Sequence, residues 1–447
     1  MRKRARQVQQ CLCGFTVAVT IVIVTNSYLI FDMEESTRSS AFRAYNSTVV
    51  PKKESLICST CHYHHGPKRL VTDVDCLRII EGDEKYIQSA KNIMDGKKFA
   101  FKSDAEMGDV AENCETFLKK YDYGNFKVTK EELSFPIAYS ILTYKEAMQT
   151  EQLLRSIYRP HNVYCIHIDK KAHPSLHRAI KNIGNCLQNV FIASKLEEVI
   201  YAGFSRLQAD LNCMSDLLNF RNVSWKYLIN IPHQQYPLKT NAELVKILKL
   251  YNGANDIEGI TTPGRMYRSR YLSSFKLENN KIVNTGRKKE PPPHGIKVVK
   301  GSAYGVFSRD FINFALHDKM AKDVLKWCED VKSPDEYFWA TLNFNKVVNA
   351  PGGYYDVPDK KPWLAVYAAW GGVNPCHGKF IRGVCVFGIG DLTELVSKRE
   401  LFVNKLYYNY QPYALQCLEE WHVNKTFSNL PFETHYYKTL PFIIKMS

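Results

Sequence analysis

The strongest constraint on the fold is a run of apolar strands alternating with amphipathic helices between Ser134 and Leu250. SFPIAYSILTY (134–144), NVYCIHID (162–169), NVFIAS (189–194) and WKYLINI (225–231) read as strands. Helical spacing fills the gaps at 146–158, 173–184 and 203–220, and again at 240–250 behind a Thr240 or Asn241 cap. Strands separated by helices of this length predict an α/β fold with a parallel sheet covered on both faces. Ligands of such sheets sit beyond the carboxyl ends of the strands. That puts Asp169, at the tip of the second strand, beside any bound nucleotide. Position alone equally allows a surface acid opening the Asp169–Lys170–Lys171 turn.

Further on, 263–300 is rich in Lys, Arg, Asn and Pro and reads as a long loop or lid. Strand character returns at 301–308 and helix at 310–318. SPDEYFWATL (333–342) opens another helix, and GVCVFGIGDL (383–392) is a short strand and turn before a carboxy-terminal helix. The 447 residues are 45% apolar and 23% charged, which excludes a wholly disordered chain. The net charge of +15 suits an anionic partner.

The amino end reads as an export device. Arg2, Lys3, Arg4 and Arg6 precede a 21-residue, mostly apolar run, Cys11 to Phe31, followed by Asp32, Glu34 and Glu35. Roughly 20 helical residues cross a bilayer, and the basic flank stays in the cytosol. The reading is a cytoplasmic tail (1–10), an uncleaved transmembrane signal anchor (11–31), a lumenal stem (32–75) and a lumenal domain (76–447). A cleaved signal peptide is the rival, without a convincing Ala-x-Ala site. An anchored lumenal chain disfavours a nucleic-acid role. Three glycosylation triplets, at Asn46, Asn222 and Asn424, agree with a lumenal body. Eleven of the 13 Cys lie outside the anchor, and an odd count leaves at least one thiol free or paired between chains. Cys58 and Cys61 stand beside His62, His64 and His65. The crowding argues for a stem disulfide or a bridge between two subunits over a zinc site.

Chemistry concentrates in the last third. In SPDEYFW, Ser333, Pro334 and Glu336 have the spacing of a capping box, which is a purely structural device. The alternative is a helix start that aims a carboxylate into a cleft as a general base, with Asp335 competing for the role. Arg382 and Lys405 offer a fork and a point charge for a diphosphate, or are ordinary surface cations. No Walker loop, H-E-x-x-H or G-x-S-x-G occurs. The only D-x-D, Asp73–Val74–Asp75, lies upstream of the first strand, so no metal is expected.

The ordered motifs SFPIAYSI, NVYCIHID, NVFIASKLE, SRLQADLNCM, WKYLIN, PLKTN, GSAYGVFS, SPDEYFWATL and GVCVFGIGDL resemble the core 2 and I-branching β1,6-N-acetylglucosaminyltransferases, and the mucin core 2 members most closely. The resemblance implies a GT-A-like sheet and an inverting, metal-independent Golgi enzyme. It would move GlcNAc from UDP-GlcNAc to the 6-hydroxyl of GalNAc in Galβ1-3GalNAc O-glycans. It implies Glu336 as base, Arg382 and Lys405 on the diphosphate, Asp169 on uridine, and Glu258 and Trp370 on the acceptor. It also implies the disulfides Cys76–Cys417, Cys114–Cys186, Cys165–Cys213 and Cys376–Cys385, leaving Cys58, Cys61 and Cys328. The sequence departs from the family where acceptors are chosen. Pro232 replaces a cysteine and Gln235 an acid, the basic segment holding Arg265, Arg268 and Arg270 is rearranged, and the loop after Trp370 is shorter. A protein O-xylosyltransferase or an I-branching enzyme of the same fold family, and a catalytically inactive lumenal glycan-binding protein, are the alternatives.

Overall fold

The computed structural model describes residues 69–428 and 430–444. The tail, the anchor and most of the stem, with Asn46, Cys58 and Cys61, lie outside the described residues. Among those described, no helix is long and apolar enough to cross a membrane.

The alternating pattern folds as read. β1 (Ile137–Thr143), β2 (Val163–Ile168), β3 (Val190–Ile192) and β4 (Tyr227–Pro232) are separated by helices Ala147–Ile157, Pro174–Asn185 and Phe204–Asn219. Every residue of β1 and β2 is buried, because helices cover both faces and leave no polar side for alternation. Thr240 closes a capping box with Glu243 on the helix Asn241–Tyr251. After β5 (Gln235–Pro237) come β6 (Ser273–Glu278), β7 (Lys281–Lys288) and β8 (Val306–Ser308). The main sheet has the order β3-β2-β1-β4-β8, with β8 antiparallel on β4, so it is mixed, with a parallel body. β9 (Val366–Tyr367), the hairpin β10 (Lys379–Ile381) and β11 (Val384–Val386), and β12 (Phe402–Asn404) form a smaller region in which β12 lies between β5 and β9.

Two expectations need correction. The 263–300 segment is not a loop throughout, because β6 and β7 form a hairpin across Asn279 and Asn280. Both asparagines have positive φ, 48° and 58°, as a two-residue hairpin turn requires. SPDE is not a capping box. Ser333 sits at φ 56° with no side-chain cap bond, Pro334–Glu336 is a single 3-10 turn, and the helix begins only at Phe338.

A buried polar network ties the sheet to its covering helix. Asp210 accepts from Ser140 Oγ at 3.0 Å and Asn230 Nδ2 at 3.1 Å, and pairs with Arg206 at 2.5 Å. The four cysteine pairs implied by the resemblance are those of the structure, and Cys328 is free and buried. Cys76–Cys417 joins helix Cys76–Ile80 to helix Pro412–Phe427 within a second apolar core that also holds Ile79, Leu392 and Leu418. Val71 and Val74 are buried in the same core. Asp75 caps the helix at Cys76, and Asp73 accepts from Tyr413 at 2.8 Å, so both carboxylates of the D-x-D are used in packing. Asn222 is exposed on a turn, whereas Asn424 is half-buried on helix Pro412–Phe427.

Cys76–Cys417 spans 341 residues and Cys376–Cys385 spans 9. Loop entropy assigns about 6 kcal/mol to the first and about 2.5 to the second. Cys76→Ala with Cys417→Ala is predicted to lower the urea-unfolding free energy roughly twice as far as removing the short pair. Equal losses would contradict the loop-entropy origin. Burial pushes the imidazoles of His233 and His422 down to about 3, against an ordinary value near 6.5. Below pH 6.5 the unfolded chain takes up protons that these side chains refuse in the fold. Their contribution to stability is therefore full above 6.5 and is lost as pH falls from 6.5 toward 3. His422→Gln is predicted to flatten the fall in Tm between pH 6.5 and 5, and an unchanged slope would refute the assignment.

Candidate active site

The site is built at the carboxyl ends of β1, β2 and β4, where chain segments from the last third of the sequence meet them. Asp169 ends β2 and is buried. Its Oδ1 accepts from the backbone N–H of Lys171 and of Val199, each at 3.2 Å. The neighbouring carbonyl of Glu197 accepts from Lys170 at 2.9 Å, and Glu197 N–H donates to His167 Nε2 at 2.8 Å. The strand tip is thereby locked to the segment 197–203.

That segment carries two further attachments. The Tyr201 ring lies 4.8 Å beneath the guanidinium of Arg382. The Ala202 carbonyl accepts from Ser333 N–H at 2.8 Å. Arg382 and Gly383 are the two residues of the β10–β11 turn, at φ 55° and 78°, so the turn presents the Arg382 side chain. Lys405 follows β12, and its Nζ donates to the Ile381 carbonyl at 3.2 Å, at the start of the same turn. Burial, and then the Arg382 charge, push the Lys405 ammonium below its ordinary range. Such like-charge pressure is relieved by an anion. Lys145, just past β1, lies 5.2 Å from the Tyr407 ring, which is 5.8 Å from Lys405 Nζ. It is held by Glu146 at 2.6 Å.

Glu336 occupies the 3-10 turn after Ser333, and its carbonyl accepts from Gly301 N–H at 2.7 Å. Its side chain is 29% exposed, and Oε2 receives both Arg270 at 2.9 Å and Lys300 Nζ at 3.1 Å. Oε1 takes part in neither contact. Gly301 must be glycine here, since a Cβ would meet the Glu258 carbonyl oxygen at 2.3 Å. Burial raises the Glu258 carboxyl, the charges of Lys300 and Arg265 pull it down, and Glu336 adds to the rise. Glu258, Lys300, Arg265, Arg270 and Glu336 thus form one charged cluster. Asp335 points elsewhere: it is buried beside Arg206, and burial pushes its carboxyl up to about 6 despite that cation. Trp370 is 54% exposed and bridges to Val384, while Gly371 N–H donates to the Gly383 carbonyl at 2.9 Å, next to the Arg382 turn.

The structure therefore gathers Asp169, Arg382, Lys405 and Glu336 around one segment, with Glu258 in the Glu336 cluster and Trp370 beside the Arg382 turn. Sequence reasoning assigned nothing to Tyr201, Lys300, Tyr407 or Lys145. Lys145 was findable, because it follows β1 as Asp169 follows β2. Lys300 and Tyr201 had no signal, because their positions depend on loop placement. Where Pro232 ends β4, the departures from the family pattern are structurally conspicuous. Neither ring nitrogen of His233 and neither amide atom of Gln235 has a hydrogen-bond partner among the described residues, although both side chains are buried. A cavity of about 710 Å³ lined by 349–356 and Phe442 contains none of the site residues, so volume alone does not mark the site.

Comparison with known proteins identifies the family. Residues 137–396 match the family model "Core-2/I-Branching enzyme". A human β-1,3-galactosyl-O-glycosyl-glycoprotein β-1,6-N-acetylglucosaminyltransferase is 38% identical over 78% of this chain and 85% of its own length. A human N-acetyllactosaminide β-1,6-N-acetylglucosaminyl-transferase is 38% identical over 76% and 85%. A zebrafish relative, numbered 4 among the β-1,3-galactosyl-O-glycosyl-glycoprotein enzymes, is 36% identical over 94% and 96%. With a family model matching well over half of the chain and relatives above 30% identity along most of their length, the chain belongs to the Core-2/I-branching enzyme family and is a glycosyltransferase.

Proposed function

We propose that the chain transfers N-acetylglucosamine from UDP-GlcNAc, with inversion, to the 6-hydroxyl of GalNAc in Galβ1-3GalNAc O-glycans. The observation that carries this reading is the backbone bond from Ser333 to Ala202, next to Tyr201. It ties the turn that carries Glu336 to the segment whose Tyr201 ring contacts Arg382, which supports a single site for base and cations. In the proposed reaction Glu336 Oε1 takes the proton of the acceptor hydroxyl. The hydroxyl oxygen bonds to the anomeric carbon as the bond from that carbon to the β-phosphate oxygen breaks. The electron pair leaves on UDP, whose charge Arg382 and Lys405 receive. Attack opposite the departing group converts the α-linked donor into a β-linked product. Asp169, at the tip of β2, reads the uridine. Glu258 and Trp370 hold the acceptor, the first by hydrogen bonding and the second as an exposed ring face.

The two fixed cations take the place of a divalent ion, so the reaction needs no metal. The sheet is read as GT-A-like. The chain sits in the Golgi membrane with its body in the lumen, a compartment in which four disulfides persist. Cys58 or Cys61 is available to link two copies. I-branching is the second reading, favoured by the equal 38% identity of the N-acetyllactosaminide relative. Linkage analysis of the product on core 1, core 3 and lactosamine acceptors separates the two. Competition between UDP-GlcNAc and UDP-xylose tests the donor.

Glu336→Gln is predicted to lower kcat by a factor on the order of 10²–10⁴ while UDP affinity is unchanged. Undiminished turnover by this variant would remove Glu336 from the mechanism and admit an inactive binding protein or another base. Arg382→Ala is predicted to weaken UDP binding by roughly tenfold or more, since it leaves one cation on the diphosphate. The wild-type enzyme is predicted to keep full activity in excess EDTA. Strict dependence on added Mn²⁺ would overturn the two-cation account.

A further inference from the structure

The chain's positive charge is not spread evenly. Residues 263–300 hold ten Lys and Arg against two Glu, so a net +8 of the total +15 lies in this one segment. The segment begins at the charged cluster around Glu336 and continues into the β6–β7 hairpin. Arg270 binds Glu336, and its carbonyl accepts from Lys332 N–H at 3.0 Å. Lys332 Nζ lies 5.8 Å over the Phe275 ring. At the root of the hairpin Ser273 pairs with Lys288, and Leu272 accepts from Lys289 N–H at 3.0 Å. The root is fixed to the body by Phe275 N–H on the Asp330 carbonyl at 2.8 Å and by the Lys289–Asp330 ion pair.

The cations at this root are largely unneutralised. Among the described residues Arg265, Arg268, Arg287, Lys288 and Lys332 have no carboxylate within ion-pair distance. Arg265, Arg268, Arg287 and Lys288 are exposed. At the turn end Glu278 pairs across the hairpin with Lys281 and forms an ion pair with Lys276 at 3.5 Å, and Ile282 beside it lies close to Gly203. The exposed cations without a carboxylate partner are thus concentrated at the root, beside the Glu336 cluster, rather than at the turn. β7 alone is eight residues long, about 26 Å at roughly 3.3 Å per residue. That exceeds the reach of one sugar and matches several residues of extended polypeptide.

We infer that the root of the β6–β7 hairpin is a docking track for acidic polypeptide flanking the glycosylated Ser or Thr of the acceptor. Its Arg and Lys side chains bind Asp and Glu carboxylates, so that acidic glycopeptides reach Glu336 in preference to neutral ones. The inference rests on the proposed role of Glu336 at the acceptor.

The test offers one O-glycan on three carriers: an aryl glycoside, a glycopeptide with Asp and Glu flanking the site, and the same glycopeptide with Ser and Ala in their place. The full chain is predicted to show a kcat/KM roughly tenfold higher for the acidic than for the neutral glycopeptide at low salt, and the gap is predicted to close in 0.5 M NaCl. The double variant Arg287→Glu, Lys288→Glu, checked for an unchanged Tm, should lose the preference and keep wild-type turnover of the aryl glycoside. Equal use of both glycopeptides by the wild-type chain overturns the inference. So does a preference that survives in the variant, or wild-type binding to phosphatidylserine vesicles without binding to the acidic peptide. If no aryl glycoside is turned over, the acceptor reading fails separately. Fluorescence anisotropy of the labelled acidic peptide, lost in the variant, then still decides whether the track exists.

Discussion

The short segment from Glu197 to Gly203 is the joint on which the site depends. Its backbone closes onto Asp169 at the end of β2, its Tyr201 ring underlies Arg382, and its Ala202 carbonyl takes the N–H of Ser333. Three pieces of chain, distant from one another in sequence, are aligned by contacts that are individually modest. Their value is geometric. Nothing in any of the three pieces alone specifies where the other two stand. Ala202 itself adopts φ 62°, a conformation that only the surrounding bonds make worthwhile.

The neighbouring acids in SPDE show how burial assigns roles to chemically similar groups. Asp335 is enclosed beside Arg206, one step from the Asp210 network that joins β1 and β4 to helix Phe204–Asn219. Its carboxyl is raised by loss of water and serves packing. Glu336 turns the other way, partly exposed, with two cations on one oxygen and the other oxygen uncommitted. A turn of 3-10 geometry separates the two directions, and an α-helical start with a closed capping box would have spent Glu336 on its own backbone. Arg382 and Lys405 face a complementary pressure. Two cations converge on one hairpin turn, and the cost of holding them together is recovered when an anion arrives.

The family assignment and the fold support each other at different levels. The matched region, 137–396, contains the parallel sheet, Glu336 and Arg382, whereas Lys405 and Cys417 lie beyond it. The long disulfide from Cys76 to Cys417 returns those later elements to the start of the body. The departures fall in two places: Gln235 pairs with Asn404, beside Lys405, and the basic segment from Arg265 to Arg270 meets Glu336.

Much of the architecture was legible without coordinates. β1 to β4 and their helices follow from apolar runs and 3.6-residue spacing, because a doubly covered parallel sheet allows few other patterns. The rule that ligands meet strand ends singled out Asp169, which does stand at the end of β2, and the same rule applied to β1 points to Lys145. The β6–β7 hairpin was hidden because its strands are polar and exposed, and only the Asn279–Asn280 pair hints at the turn. Glu336 was ambiguous in sequence, since SPDE spells a helix cap and a 3-10 turn that exposes a carboxylate with the same letters. Local sequence therefore determined the sheet, the order of its strands' helices and the inventory of charged groups. Tertiary structure alone decided that Glu336 faces Arg270 and Lys300, that Asp335 faces inward, and that Tyr201 underlies Arg382. Those choices rest on contacts between distant segments, and the free energy of such contacts exists only after the chain has closed on itself.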